Sequence, residues 1–314
     1  MKVAITGGTG FVGSHLLDRL HEDGHEVVLV ARGAREPAFD ARELEGTRFV
    51  AASVTDAAAL RETFAGCDAV AHLAGINRER GAQTYERVHV AGTETVVEAA
   101  ADAGVPRLAL TSYLRARPGC GSGYLESKWR SEEILRGAAV DHTVCKPGLV
   151  YGRGDQLLTS LARSVATLPL FPRVGIGEQL HRPLAVDDLV TVLCAALAGD
   201  LENRTVPVVG PEPLSLATMV RRVGRAMDRR VLVVPAPVFA HRLGAWVQDR
   251  LLEDPIVPPA AVRMLAEGST TPAPASVVSD LPADLEPTEP FDTASIGSRL
   301  PAVDRYGLGD LGVG

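Results

Sequence analysis

The chain has 314 residues, 46% of them hydrophobic, enough to bury a large core in one domain or two. Its net charge of −7 excludes the basic footprint of a nucleic-acid binder, and no run of eighteen apolar residues is present to span a bilayer. Four cysteines (Cys67, Cys120, Cys145, Cys194) lie far apart without a C-x-x-C pair, and eight histidines are scattered without metal-ligand spacing. Neither a disulfide framework nor a zinc site is indicated, and a reduced, cytoplasmic location is expected.

The first strand is predicted at 2–6, which leaves no room before it for a signal peptide. It runs into Thr6-Gly7-Gly8-Thr9-Gly10-Phe11-Val12-Gly13, and a helix (11–23) follows at once. Gly8, Gly10 and Gly13 fit the spacing G-x-G-x-x-G, while Gly7, Gly10 and Gly13 fit G-x-x-G-x-x-G. A glycine turn between strand and helix brings backbone close to a pyrophosphate and offers it the free N–H groups of the helix N-terminus. The strand–turn–helix context makes this signal strong, since the spacing alone is weak. Further strands are expected at 26–31, 47–51, 69–73, 107–112 and 142–146, with helices at 56–65, 82–103 and 122–138. Apolar runs alternating with amphipathic helices point to a parallel sheet covered on both faces.

Beyond residue 150 the pattern loosens. Helices are expected at 155–167, 187–198, 215–227 and 237–251, and short strands near 205–209 and 231–234. Prolines and acidic residues then mark an extended arm over 254–290, interrupted by one helix at 259–267. The fold class read from this is α/β. A Rossmann-type doubly wound parallel sheet occupies 1–150, and a smaller, mainly helical substrate lobe occupies 151–314.

A second motif, Tyr124-Leu125-Glu126-Ser127-Lys128, lies on the helix 122–138. Residues four apart share a helix face, so phenol and ammonium can enter one cleft. A phenol near pKa 10 is a poor base at neutral pH, and a nearby ammonium favours the phenolate. Strand 107–112 ends in Thr111-Ser112 at the sheet edge where ligands of such folds bind. Ser112 is a candidate to orient a carbonyl and share protons with Tyr124, or else simply closes the strand. At the end of the second strand stand Ala31-Arg32, with Arg35 close behind, where NAD-binding folds carry an acid. Arginine there suits a 2′-phosphate, so NADP(H) is favoured over NAD(H).

With these residues the chain resembles the short-chain dehydrogenase/reductase superfamily, in its extended or atypical branch of epimerase/dehydratase-like proteins. Within that branch it is similar to the nucleotide-binding accessory subunit of respiratory complex I. The likeness runs through the glycine turn, His72-Leu73-Ala74-Gly75, Gly92-Thr93, Tyr124 with Lys128, Lys146-Pro147-Gly148, Tyr151-Gly152 and Val186-Asp187-Asp188-Leu189. It implies that Gly7, Thr9, Gly10, Phe11, Val12, Gly13, Arg32, Val54, Leu73, Ala74, Gly75, Lys128 and Pro147 contact the dinucleotide. It further implies Tyr124 as proton donor and acceptor, Lys128 as its partner and Ser112 as the carbonyl-orienting hydroxyl. His89 stands where the family has Asn, Ser53 where an acid is usual, Lys146 where epimerases have Arg, and Ala185 where an aromatic is expected. The last two argue against a nucleotide-sugar substrate.

The expected function is therefore an NADP(H)-dependent oxidoreductase acting on a small or medium carbonyl or alcohol held between the sheet edge and the C-terminal lobe. The alternatives are an epimerase or dehydratase, and a non-catalytic NADP(H)-binding accessory or redox-sensing protein. The helices 82–103 and 122–138 are candidates for a homodimer interface, and their pattern equally suits packing on the sheet.

Overall fold

Strand and helix alternate from the second residue onward, as the apolar runs require. The computed structural model describes residues 1–33, 45–174, 179–236, 259–274 and 276–302. The elements in chain order begin with β1 (Lys2–Thr6), α1 (Phe11–Glu22), β2 (Glu26–Ala31), β3 (Thr47–Ala51), α2 (Ala57–Phe64) and β4 (Ala69–His72). A π-helix (Glu86–Ala91) leads directly into α3 (Gly92–Asp102), followed by β5 (Arg107–Thr111), α4 (Gly123–Arg136) and β6 (Asp141–Pro147). Next are β7 (Val150–Tyr151), α5 (Gln156–Thr167), β8 (Leu170–Val174), β9 (Leu180–His181), β10 (Leu184–Ala185), α6 (Val186–Ala198) and β11 (Arg204–Val208). The described elements close with β12 (Leu214–Ser215), α7 (Leu216–Ala226), β13 (Leu232–Ala236), α8 (Pro259–Glu267), a 3-10 turn (Ala283–Leu285) and α9 (Thr293–Arg299).

The chain divides into two compact units that are not contiguous in sequence. One comprises Met1–Pro147, Val186–Val208 and Thr271–Glu286, and the other Gly148–Ala185, Val209–Thr270 and Pro287–Gly314. The first holds a seven-stranded sheet in the order β11-β6-β5-β4-β1-β2-β3, parallel throughout. Its central strands are apolar on both faces (Val3, Ala4 and Ile5 in β1, Val27 to Val30 in β2) because helices cover both sides. On one face Leu60, Phe64, Val96, Ala100 and Leu135 from α2, α3 and α4 pack with Val28, Val70 and Leu108. Strand order reverses between β1 and β4, and in open parallel sheets that switch point at the C-terminal strand ends is the binding crevice.

The helix expected at 187–198 and the strand near 205–209 thus join the sheet unit. α6 is apolar almost all round because it packs on α1 as well as on β4, β5 and β6. β11 extends the sheet beside β6, and Ser279 in the proline-rich arm donates its N–H to Thr205 O at 2.7 Å, occupying part of that edge. The second unit has its own core, in which Tyr151, Leu158, Leu161, Met219, Val220 and Phe291 meet. Among the described residues it also holds three two-stranded ladders (β7–β10, β9–β12 and β8–β13) that the looser sequence pattern did not announce in full. The helix expected at 237–251 lies outside the described residues. The single helix expected over 82–103 is instead a π-helical turn followed by an α-helix.

Candidate active site

The glycine turn is set by steric necessity. Gly7 has φ +74°, and a Cβ there would lie 2.7 Å from Ala74 Cα. A Cβ on Gly13 would lie 2.4 Å from Gly7 O and 2.7 Å from Gly8 Cα, so helix and turn touch backbone to backbone. α1 then starts with Gly10 as its N-cap and no side chain capping it, so its first N–H groups point from an uncapped turn. No acidic residue lies in that first turn. A cradle this tight, ending in uncapped N–H donors, fits a pyrophosphate.

The other expected contacts follow from strand ends. Leu73, Ala74 and Gly75 leave β4 directly beneath the turn, and Pro147 ends β6, where its carbonyl accepts from Leu114 N–H at 2.8 Å. Arg32 follows β2 and is exposed, whereas Arg35 lies outside the described residues. Val54 packs against the start of α3, where a Cβ on Gly92 would meet Val54 Cγ2 at 2.7 Å.

The buried face of α4 carries Tyr124, Lys128, Ser131, Glu132 and Leu135, a helical stripe that is largely polar. Burying such a stripe requires a partner for each group. Lys128 Nζ donates to Thr111 O at 3.1 Å and lies beside Gly75, where a Cβ would meet Lys128 Nζ at 3.3 Å and His89 Nε2 at 3.4 Å. Burial lowers the Lys128 ammonium to about 8, with Glu132 acting in the opposite direction. Tyr124 sits in a ring cluster, with Tyr85, His89 and Tyr113 centroids 5.7, 5.8 and 6.1 Å away.

Two expectations are corrected here. Lys128 does not lower the Tyr124 phenol, because burial, helped by Tyr85, raises it above its ordinary value. Nor is Ser112 in a proton network with Tyr124. Its hydroxyl donates to Glu132 Oε1 at 2.5 Å, and no hydrogen bond joins Tyr124 to Ser112 or Lys128 among the described residues.

His89 takes a definite place in this framework. Ile76 N–H donates to His89 Nε2 at 3.0 Å, which leaves the ring proton on Nδ1 to reach Ser127 Oγ at 2.8 Å. Ser127 in turn donates to Tyr124 O at 2.8 Å. At the end of the π-helical turn the His89 carbonyl accepts from Gly92 N–H, from Thr93 Oγ1 and from Ser131 Oγ. Because the Thr93 proton is used there, Thr93 Oγ1 accepts from His72 Nε2 at 3.1 Å, and His72 Nδ1 accepts from Thr6 Oγ1 at 2.7 Å. A directed chain of hydrogen bonds therefore joins the last residue of β1 to the π-helix. Burial and the Lys128 charge hold both rings neutral, His72 near 3 and His89 near 2. His72 is the satisfied core histidine that its place on an apolar strand suggests.

The sequence profile of the NAD dependent epimerase/dehydratase family matches residues 3–209. The chain belongs to that family. Among family relatives, a ceramide reductase of Caulobacter vibrioides is 35% identical over 171 residues, 54% of this chain and 53% of that protein. An uncharacterised protein of Mycobacterium tuberculosis is 27% identical over 253 residues, 80% of this chain and 26% of the relative. The 40 kDa subunit of NADH-ubiquinone oxidoreductase from Neurospora crassa is 25% identical over 260 residues, 81% of this chain and 67% of that subunit. The chain thus spans only about a quarter of the mycobacterial relative and about half of the ceramide reductase. In fold it matches MoeE5, solved in complex with UDP-glucose and NAD, with TM-score 0.63 and 23% identity over 76% of this chain and 85% of that one. Among the described residues no helix is long and apolar enough to cross a membrane, and no group of three or more metal-ligating side chains occurs.

Proposed function

We propose that the chain is an NADP(H)-dependent oxidoreductase that reduces a small or medium carbonyl compound. The observation that carries this reading is the placing of a phenol and an ammonium on one buried face of α4, Lys128 lying against Gly75 beyond β4. A purely structural nucleotide site has no need of that pair. The glycine turn with Thr9, Phe11 and Val12 would hold the pyrophosphate, Leu73 to Gly75 and Pro147 the rest of the dinucleotide, and Arg32 a 2′-phosphate. The chemistry such a cofactor supplies when bound is hydride transfer at its nicotinamide ring.

The side chains then divide the remaining work. A phenol raised by burial stays protonated at neutral pH, so Tyr124 suits the giving of a proton to a carbonyl oxygen that gains charge. Lys128, titrating near 8, is mostly cationic at pH 7 and stabilises negative charge developing in the same site. Both features favour the reductive direction, and the likeness to a ceramide reductase supports a reductase. Ser112, its proton directed to Glu132, offers lone pairs rather than a donor.

That last feature favours a second reading, a cofactor-binding protein without turnover, to which the accessory-subunit relative also points. An epimerase or dehydratase, which the family profile admits, is the third. Incubating the protein with NADPH and a panel of aldehydes and ketones separates them. Net NADPH consumption is expected. Isomerisation of a substrate without net consumption would replace the reductase by an epimerase, and tight NADPH binding with neither outcome would replace it by the accessory role. Fluorescence titration should show NADPH binding tighter than NADH, with the difference lost in Arg32→Ala; tighter NADH binding would refute the 2′-phosphate assignment.

A further inference from the structure

Glu132 belongs to none of the motifs that point to the site, yet it touches one member of it and faces another. It lies one helical turn beyond Lys128 on α4 and is 1% exposed. Oε1 accepts from Ser112 Oγ at 2.5 Å and from Lys146 Nζ, and Oε2 accepts from Arg136 Nη2 at 2.8 Å. Lys146 is fully buried and also reaches Ala116 O at 3.4 Å, while Arg136 continues to Thr205 Oγ1 at 3.2 Å. The carboxylate thus gathers donors from the end of β5, from β6 and from its own helix.

We propose that Glu132 is a positioning residue for the Tyr124/Lys128 site, accepting the hydrogen bond of the Ser112 hydroxyl and supplying the counter-charge to the Lys128 ammonium. The inference rests on the site proposed above. The groups around Lys128 are Glu132 from α4, His89 from the π-helix, His72 from β4 and the Thr111 carbonyl from β5. Both histidines are neutral across the physiological range, so of these groups only Glu132 brings a negative charge. Around Glu132 itself stand Lys146, Arg136 and Ser112, with Glu133 paired to Arg136 further out. If the carboxylate becomes an amide, Lys128 loses its anion, while the charge of Lys146 is left uncompensated and Arg136 keeps only Glu133. Both changes act in one direction, releasing the Lys128 proton more easily. The serine argument is separate and geometric: while Glu132 accepts its proton, Ser112 cannot also donate to a carbonyl.

The chain has three lysines, Lys2, Lys128 and Lys146, which makes the test direct. Selective 13C labelling of lysine gives one side-chain resonance for each, with Lys2 and Lys146 assigned through Lys2→Arg and Lys146→Met. The Lys128 resonance should titrate near 8 in the wild-type chain. It should titrate about one pH unit lower in Glu132→Gln. If that variant does not fold, as judged by circular dichroism, the neutral pair Glu132→Gln with Lys146→Met replaces it, and a smaller shift in the same direction is expected. An unmoved Lys128 midpoint in a folded variant overturns the proposal. The high-pH limb of the turnover profile should move with the resonance. A moved resonance beside an unmoved profile would uphold the Glu132–Lys128 coupling while overturning the role of Lys128 in turnover, so the two readings fail separately.

Discussion

Acidification from pH 7 to pH 5 should destabilise this protein steeply, and three buried histidines set the size of the effect. His72 is held near 3, His89 near 2 and His181 near 4, against 6.5 for a free imidazole. In each case burial is the main cause, and the hydrogen bonds on His72 and His89 already assign their ring protons. A folded value below the unfolded one means that the unfolded chain binds more protons as pH falls through 6.5. The stability these rings contribute is therefore intact above 6.5 and lost below it. By pH 5 each ring costs about 2 kcal/mol. Asp155 works the other way: burial raises it to about 6, so the folded state binds its proton first and regains about 1 kcal/mol. The net loss is about 5 kcal/mol, comparable with the whole stability of many domains. Most of it falls on the sheet unit, which holds His72 and His89, while His181 and Asp155 lie in the other. Urea unfolding followed by circular dichroism at pH 7, 6 and 5 measures the loss. A midpoint independent of pH over that range, or ring resonances of His72 and His89 that titrate near 6.5 in the folded protein, would refute the reasoning.

Gly13→Ala should both destabilise the protein and weaken dinucleotide binding. The new Cβ meets backbone atoms at 2.4 and 2.7 Å that cannot move alone, a cost of about 1–3 kcal/mol. Thermal unfolding and NADPH titration of the variant check both effects, and a variant like wild type in both would count against the cradle. Thr93→Val removes the donor to the His89 carbonyl and leaves His72 Nε2–H without its acceptor, at about 1–3 kcal/mol. Thr93→Ser should recover most of that loss in urea unfolding, and a Thr93→Val variant as stable as wild type beside a destabilised Thr93→Ser would show that the methyl group, not the hydroxyl, matters.

The glycine turn, the alternating sheet and Tyr124 with Lys128 were legible because each is a local pattern, fixed by spacing along one strand–turn–helix or one helix face. What the sequence hid depends on partners far away in the chain. Periodicity reads 86–91 as ordinary helix, and it does not report that Thr93 and Ser131 both donate to the His89 carbonyl there. Ser112 reads as a free strand-end hydroxyl until Glu132, twenty residues on, is seen to accept its proton. A signal for Glu132 was present in its spacing of four from Lys128, but a carboxylate so placed normally reads as a solvated helix pair. Lys146 stands out as one of three lysines, yet its ion pair with Glu132 becomes visible only once β6 lies beside α4. The Tyr124 phenol is raised by burial and by Tyr85, causes that motif spacing does not contain.

The most direct test of the account follows absorbance at 340 nm as wild type and Tyr124→Phe consume NADPH over the same panel of aldehydes and ketones. Wild type should reduce at least one member. Tyr124→Phe should bind NADPH as wild type does while losing about a hundredfold or more in turnover. Turnover by Tyr124→Phe equal to wild type would contradict the account, because the phenol would then give no proton to the reaction.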